Sequence, residues 1–94
     1  MTVIFYDFET TGLNWFYDQI IEIAAETNGN KFEELCNIGS TMLPYIVTKI
    51  TGLTVRDLKD AEPEAKVLKD FCQFVRKAGE NGKKQVYLVA HNKP

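Results

Sequence analysis

The chain has 94 residues, which suits one small domain and excludes two ordinary ones. Its 45% hydrophobic and 26% charged residues exclude a disordered or collagen-like chain. The net charge of −2, from 11 basic and 13 acidic residues, argues against nucleic-acid binding by bulk positive charge alone. No apolar run reaches the roughly 20 residues that span a bilayer, and no signal peptide is visible. We therefore expect no membrane partner and an intracellular, cytoplasmic location.

The two cysteines, Cys36 and Cys72, lie far apart and lack the paired spacing of a zinc site. Two cysteines at this separation also make a disulfide framework improbable. We predict free thiols in a reducing compartment.

The first half of the chain predicts three antiparallel strands. An almost continuous apolar run over residues 2–8 indicates a strand that is buried on both faces. Residues 19–27 alternate between apolar and polar types, as in a strand with one covered face. Asn28 and Gly29 both tolerate positive φ and predict a tight hairpin turn, after which residues 31–42 return as the third strand.

The second half changes to a helical period after Pro44. Thr54 and Asp57 have the spacing of a capping box and predict a short helix. A longer helix, with apolar residues at three- and four-residue steps, follows and ends at Gly79. Residues 85–90 predict a fourth strand, which a right-handed crossover through the helix would place parallel to the first.

These elements predict an α/β fold of three antiparallel strands, a helix and a parallel fourth strand. One long helix covers only one face of such a sheet. In the first strand, however, both alternating sets are apolar, Ile4 and Tyr6 on one face and Val3 and Phe5 on the other. We therefore expect further polypeptide beyond residue 94 to cover the second face. The chain is interpreted as the N-terminal part of a single domain, truncated at its C-terminus.

Asp7 and Glu9 are the strongest candidates for chemistry. Carboxylates at positions i and i+2 of a strand point to the same side of the sheet, and at a buried strand end they need a counter-charge. Hard oxygen ligands select Mg²⁺ or Mn²⁺. A solvated strand end, with the strand stopping at Asp7, gives the same pattern, and the spacing alone does not decide between the two.

Thr10, Thr11 and Gly12 follow these acids directly. Two hydroxyls and a glycine allow a tight turn whose backbone N–H groups could face a phosphate or nucleotide. This neighbourhood favours the metal-site interpretation.

Four stretches of the chain carry a family resemblance. They are Asp7-Phe8-Glu9-Thr10-Thr11-Gly12-Leu13, Asp18-Gln19-Ile20-Ile21-Glu22-Ile23, Ile50-Thr51-Gly52-Leu53-Thr54 and Leu88-Val89-Ala90-His91-Asn92. Together they resemble the DEDD-type 3′–5′ exonucleases, a ribonuclease H-like superfamily that includes the proofreading epsilon subunit of bacterial DNA polymerase III. One pair of spaced acids is a weak indication, whereas four stretches in family order at family-like spacing are a specific one.

The resemblance implies two divalent ions, Mg²⁺ or Mn²⁺, bound by four carboxylates, of which this chain holds Asp7 and Glu9. It implies that the substrate, a 3′ end of DNA or RNA, contacts the segment formed by Thr10, Thr11, Gly12 and Leu13. In this family the other two carboxylates and a general-base histidine come later in the chain.

His91 and Asn92 resemble the beginning of the second family motif. The resemblance implies that His91 is not the general base and that Asn92 fixes the loop that follows. His91 is the single histidine of the chain.

Two further groups of residues have open interpretations. The aromatic run Trp15, Phe16 and Tyr17 could stack on bases, but a core that further polypeptide completes is favoured. A basic cluster follows at the end of the long helix, where cations are stabilised by the helix dipole without any ligand. Its members are Arg76, Lys77, Lys83 and Lys84.

We thus predict a metal-dependent 3′–5′ exonuclease domain whose first half of the active site lies in this chain. Catalysis by this chain alone is not expected, because two carboxylates cannot preorganise a site that needs four and a base. The alternatives are a truncated reading frame and an inactive split or degenerate half that binds nucleic acid or has a structural role. Its partner would be a second polypeptide, or another copy binding through the uncovered sheet face.

Overall fold

The computed structural model describes residues 1–12, 14, 17–39 and 42–90, which form an α/β fold. Its elements, in chain order, are β1 (Thr2–Thr10), β2 (Ile20–Thr27), β3 (Asn30–Asn37), α1 (Tyr45–Thr51), α2 (Val55–Lys59), β4 (Glu62–Pro63), α3 (Glu64–Ala78) and β5 (Val86–Ala90). None of the described helices is long and apolar enough to cross a membrane.

The strands form one sheet in the order β4-β3-β2-β1-β5. β1, β2 and β3 pair antiparallel, and β5 pairs parallel to β1, as the sequence predicted. The four predicted strands are all present, and β4 adds a fifth strand, which the sequence did not predict and which pairs with the end of β3. β4 has only two residues and so has no periodicity that a sequence pattern could reveal.

The hairpin turn between β2 and β3 confirms the prediction from Asn28 and Gly29. Both residues have positive φ, 45° and 83°, which is the requirement of the tight two-residue turn. The turn fixes the register in which Thr27 pairs with Asn30.

The predicted third strand was too long, since β3 ends at Asn37 rather than near residue 42. The Asn37 side chain ends it: its Nδ2 donates to the carbonyl of Lys59 at 3.0 Å, and its Oδ1 accepts from the backbone N–H of Gly39 at 2.7 Å. Gly39 follows with a φ of 68°, so it lies in the turn after the strand and is not a bulge within it.

The helix α1 was not placed by the sequence, although the period changes after Pro44. It is rich in β-branched residues, which have low helix propensity, and no side chain caps its start. Its buried residue Val47 packs in a small second core with Ile21 and Leu58. Tertiary packing therefore stabilises this short helix.

The start of α2 confirms the predicted capping box. Thr54 Oγ1 accepts from the backbone N–H of Asp57 at 3.4 Å, and Asp57 Oδ2 accepts from the backbone N–H of Thr54 at 2.8 Å. Two backbone donors at this helix end are thereby satisfied.

The main core lies between α3 and one face of the sheet, which we call the covered face. Its buried residues are Ile4, Ile23, Ala25, Cys36, Val67 and Phe71. Phe71 packs edge-on against Phe8 at a ring-centroid distance of 5.7 Å and contacts Phe32 at 5.8 Å. Such aromatic pairs add about 0.5–1.5 kcal/mol each to the effect of burial.

The opposite face of the sheet, which we call the open face, is not covered by α3. Phe5 points to it and is 54% exposed. The β5 residues Tyr87 and Val89 lie on the same face, next to Val3 and Phe5 in register, and are also exposed. The expectation that one apolar face is left bare is confirmed for the described residues.

Candidate active site at the end of β1

Asp7 and Glu9 both lie within β1, which continues to Thr10. The strand therefore ends at Thr10 and not at Asp7. Because Tyr6 and Phe8 pack toward α3, alternation along the strand directs Asp7 and Glu9 to the open face. Both acids are partly buried there. The predicted sharing of one face is confirmed.

Glu22 of β2 joins these two acids on the open face. Glu9 and Glu22 are direct cross-strand partners, and Asp7 lies opposite Ala24. Like charges at directly opposite positions destabilise a sheet, so a cation near them would be favoured. The sequence placed Glu22 on the polar side of its strand but did not connect it with the site.

A shallow groove runs across β1, β2 and β3 beside these acids. Its volume is about 240 Å³, and the residues of the open face that line it are Phe5, Asp7, Ala24, Glu26, Lys31 and Glu33. The groove therefore combines an exposed aromatic ring with carboxylates and one lysine, Lys31.

The oxygen donors of Asp7 and Glu9 fit Mg²⁺ or Mn²⁺ by their chemistry. Their number is small, since Mg²⁺ takes about six oxygen ligands, of which water can supply several. Among the described residues, no group of three His, Cys, Asp or Glu side chains is arranged to hold a metal ion. The two acids therefore fit part of a metal site and not a complete set of protein ligands.

The segment after the acids is held by its own hydrogen bonds. Thr10 Oγ1 donates to the carbonyl of Gly12 at 2.6 Å, and the Thr11 N–H donates to the carbonyl of Gln19 at 2.9 Å. The N–H of Asn14 donates to Asp18 Oδ2 at 2.7 Å. The two amides that we describe here are thus bonded within the protein, which limits the predicted contact of this turn with a phosphate.

Asp18 is a residue that the sequence did not single out for the site. Its carboxylate accepts from Thr11 Oγ1 at 2.9 Å as well as from Asn14. A β-carbon added to Gly12 would lie 2.5 Å from Asp18 Oδ2, so any larger residue requires this carboxylate to move. No periodic pattern could have revealed this contact across a loop.

Several predicted site residues lie outside the described part of the chain. They are Leu13, Trp15, Phe16, His91 and Asn92. Tyr17, the described member of the aromatic run, is 84% exposed.

The basic cluster lies around the end of α3. Arg76 and Lys77 are in the last turn of the helix, and Lys84 pairs with Glu80 at 3.3 Å. This placement favours the interpretation as dipole compensation over a ligand site.

Comparison with known sequences and structures gives a consistent result. Residues 4–93 match the profile of the RNase T exonuclease family. The chain is 35% identical over 96 aligned positions to a PolC-type DNA polymerase III of Streptococcus pneumoniae, covering 97% of this chain and 6% of that protein. The chain therefore spans a small part of the length of these polymerase relatives.

Two solved structures show the same fold. A 3′-exonuclease that recognises the 3′ end of a histone mRNA stem-loop superimposes with a TM-score of 0.76 and 23% identity, over 98% of this chain and 36% of that chain. Exonuclease I with bound product superimposes with a TM-score of 0.75 and 20% identity, over 97% and 22% of the two chains.

Proposed function

The chain belongs to the RNase T family of exonucleases, and we propose that it is the N-terminal part of a metal-dependent 3′–5′ exonuclease domain. Residues 1–94 would form one piece of a single domain and contribute the first two acids of its active site. The reaction would be hydrolysis of the phosphodiester bond at a 3′ end of DNA or RNA.

One observation carries this proposal. The side chains of Asp7 and Glu9 lie on the open face near the end of β1, and Glu22 lies directly opposite Glu9. This arrangement supports the proposal, because the carboxylates share the side of the sheet that α3 does not cover. Family membership supplies the chemistry for which such an arrangement is suited.

Within this proposal, each candidate site residue has a definite task. Asp7 and Glu9 would hold a divalent ion, which, when bound, activates water and stabilises charge at the phosphodiester. The turn formed by Thr10, Thr11 and Gly12 would position the terminal nucleotide beside them. Leu13 would contact the terminal base, as the resemblance implies. His91 and Asn92 would lead into the segment that carries the next acid.

A second candidate function follows from the number of acids. The chain holds two of the four carboxylates that the family resemblance implies, Asp7 and Glu9, and two carboxylates suit binding of an ion or a nucleic-acid end better than cutting. In that role it would act as a structural or binding half, with a second polypeptide or a second copy over the open face. The exposed Phe5 and Tyr87 are the side chains that such a partner would cover.

The test is calorimetric titration of the chain with Mn²⁺, together with cleavage of matched 3′-labelled DNA and RNA oligonucleotides. Asp7→Asn and Glu9→Gln remove one negative charge each with little change in volume. Asp60→Asn and Glu80→Gln are matched controls, because these acids are exposed and lie away from the site.

We expect Mn²⁺ binding that both site variants lose and both control variants keep. Cleavage by the wild type that the site variants abolish establishes the exonuclease and selects DNA or RNA as its substrate. Binding without cleavage supports an exonuclease site that holds two of its four carboxylates, as expected for this chain alone. A folded wild type that binds no Mn²⁺ contradicts the assignment of Asp7 and Glu9.

A further inference from the structure

The connection between β1 and β2 is held by hydrogen bonds to one side chain, that of Asp18. Beyond the register shift at Glu9 and Thr10, two hydrogen bonds continue the pairing of the strands. The Thr11 N–H donates to the carbonyl of Gln19, and the Gln19 N–H donates to Thr11 Oγ1, both at 2.9 Å. The Thr11 hydroxyl thus accepts one bond and still has its proton to donate.

The Asp18 carboxylate accepts this hydrogen bond and a second one. Its Oδ1 accepts from Thr11 Oγ1 at 2.9 Å, and its Oδ2 accepts from the backbone N–H of Asn14 at 2.7 Å. The same carboxylate fills the space beside Gly12 that a side chain would need. One charged group therefore contacts three positions of the segment that follows the two acids.

These contacts fix the segment before any ligand arrives. Hydrogen bonds to an ionised acceptor contribute more to stability than neutral ones. A loop that is already ordered does not lose its conformational entropy on binding, so binding is tighter than to a mobile loop. The Asp18 carboxylate is itself occupied and faces into the loop.

We propose that Asp18 is a positioning residue that holds the segment Thr10, Thr11 and Gly12 in the conformation that receives the 3′-terminal nucleotide. This inference rests on the proposed function for the identity of the ligand. Asp18 acts through Thr11 and Asn14 and contacts neither the ion nor the substrate.

The experiment compares the wild type with Asp18→Ala, Asp18→Asn and Thr54→Ala. The Asn variant keeps an oxygen acceptor for Thr11 but cannot accept from both donors. Thr54→Ala removes the cap of α2 and is the control for a general loss of stability away from the loop. The probe is a 5′-labelled single-stranded DNA whose 3′-terminal linkage is a phosphorothioate, measured by anisotropy with Mn²⁺ present.

Three quantities are measured for each variant. They are the Mn²⁺ affinity, the affinity for the DNA probe, and the hydrogen-exchange rates of the Thr11 and Asn14 amides. For Asp18→Ala we expect unchanged Mn²⁺ affinity, a probe affinity lowered about tenfold and faster exchange at both amides. Asp18→Asn recovers part of the probe affinity. Thr54→Ala leaves the probe affinity unchanged and does not selectively raise the exchange rates of these two amides.

The outcomes separate this inference from the proposed function. A wild type that binds Mn²⁺ and the probe, with Asp18→Ala binding the probe equally well, overturns the inference alone. Faster exchange spread evenly over β1 and α3 also overturns it, because Asp18 would then only support the fold. A wild type that binds neither this probe nor an RNA probe of the same sequence overturns the proposed function and, with it, the role of Asp18 toward substrate. Binding of the RNA probe alone moves the comparison of the variants to that probe.

Discussion

The two faces of the sheet are built from the same strands and have opposite characters. On the covered face, Ile4 and Ile23 are fully buried and Phe71 of α3 lies over them. On the open face, Phe5 keeps more than half of its surface exposed, and acids take the place of apolar side chains.

This difference separates stability from chemistry within single strands. Tyr6 and Phe8 pack into the core, while Asp7 and Glu9, which alternate with them, are presented to solvent. The covered face offsets the cost of holding like charges on the open face. Substitutions on the two faces are therefore expected to have different consequences even at neighbouring positions.

The largest expected effect on stability comes from a ring of the covered face, and a ring of the open face is its comparison. Phe71→Ala removes a buried ring and is expected to lower the free energy of unfolding by about 3–5 kcal/mol. Phe5→Ala removes an exposed ring and is expected to change it by about 0.5 kcal/mol or less. Urea unfolding followed by circular dichroism measures both. Equal losses would mean that the open face is covered in solution, for instance by self-association.

A pH dependence sharpens the comparison on the covered face. Burial, and then the nearby Glu64 and Glu34, raise the pKa of the Cys36 thiol from 9.0 to about 11. As pH rises through this window the unfolded thiol ionises while the folded one stays protonated, so stability falls. The loss is about 2–3 kcal/mol, at roughly 1.4 kcal/mol per pKa unit.

The loss is measured by urea unfolding at several pH values from 8 to 11, a range that includes both the ordinary and the raised pKa of Cys36. The quantity compared is the free energy of unfolding of the wild type and of Cys36→Ala. The subtraction removes the contributions of other titrating groups. Both cysteines are free, and Cys72 is exposed. The variant Cys72→Ala is therefore the control for removing a thiol that is not buried. Parallel stability curves for wild type and Cys36→Ala would contradict the assignment.

Gly12→Ala tests the loop beside the open face. The new β-carbon would lie 2.5 Å from Asp18 Oδ2, so the carboxylate must move and lose its bonds to Thr11 and Asn14. We expect a loss of about 1–3 kcal/mol in the free energy of unfolding. The same substitution in an Asp18→Ala background is expected to cost much less. Additive effects in this double-mutant cycle would show that the two positions are independent.

The smallest expected effect has the opposite sign. Glu9→Gln removes one of two opposed carboxylates on the open face and is expected to raise the free energy of unfolding by about 0.2–1 kcal/mol. The measurement is urea unfolding without divalent ions. Added Mn²⁺ is expected to stabilise the wild type and not the variant. A destabilised variant in metal-free buffer would show that Glu9 is held by favourable contacts instead.

Much of the fold could be predicted because its signals are periodic. The alternation of residues 19–27, the positive-φ pair Asn28 and Gly29, and the capping box of Thr54 and Asp57 each correspond to one local structure. The shared face of Asp7 and Glu9 follows from the same period of two.

The remaining features depend on contacts between distant residues. α1 forms because Val47 packs against Ile21, against the preference of its β-branched sequence. β3 ends where Asn37 bonds to Lys59, and neither residue signals this alone. In the site, Asp18 lies seven residues from Thr11 across an irregular loop, so only the folded chain brings them together.

The parallel pairing of β1 with β5 has a consequence for the order of folding. β1 is an inner strand of the sheet, yet its partner on one side comes from the other end of the described chain, with Thr2 pairing with Val86. Closing so long a loop costs more entropy than the hairpins do, and contacts of such high sequence separation slow folding. On the ribosome, the hairpins of β1, β2 and β3 can form first, while one edge of β1 stays unpaired until β5 is made. Until β5 is synthesised, the strand that carries Asp7 and Glu9 is an edge strand, and this is the stage at which the nascent chain is most prone to pair with the wrong partner.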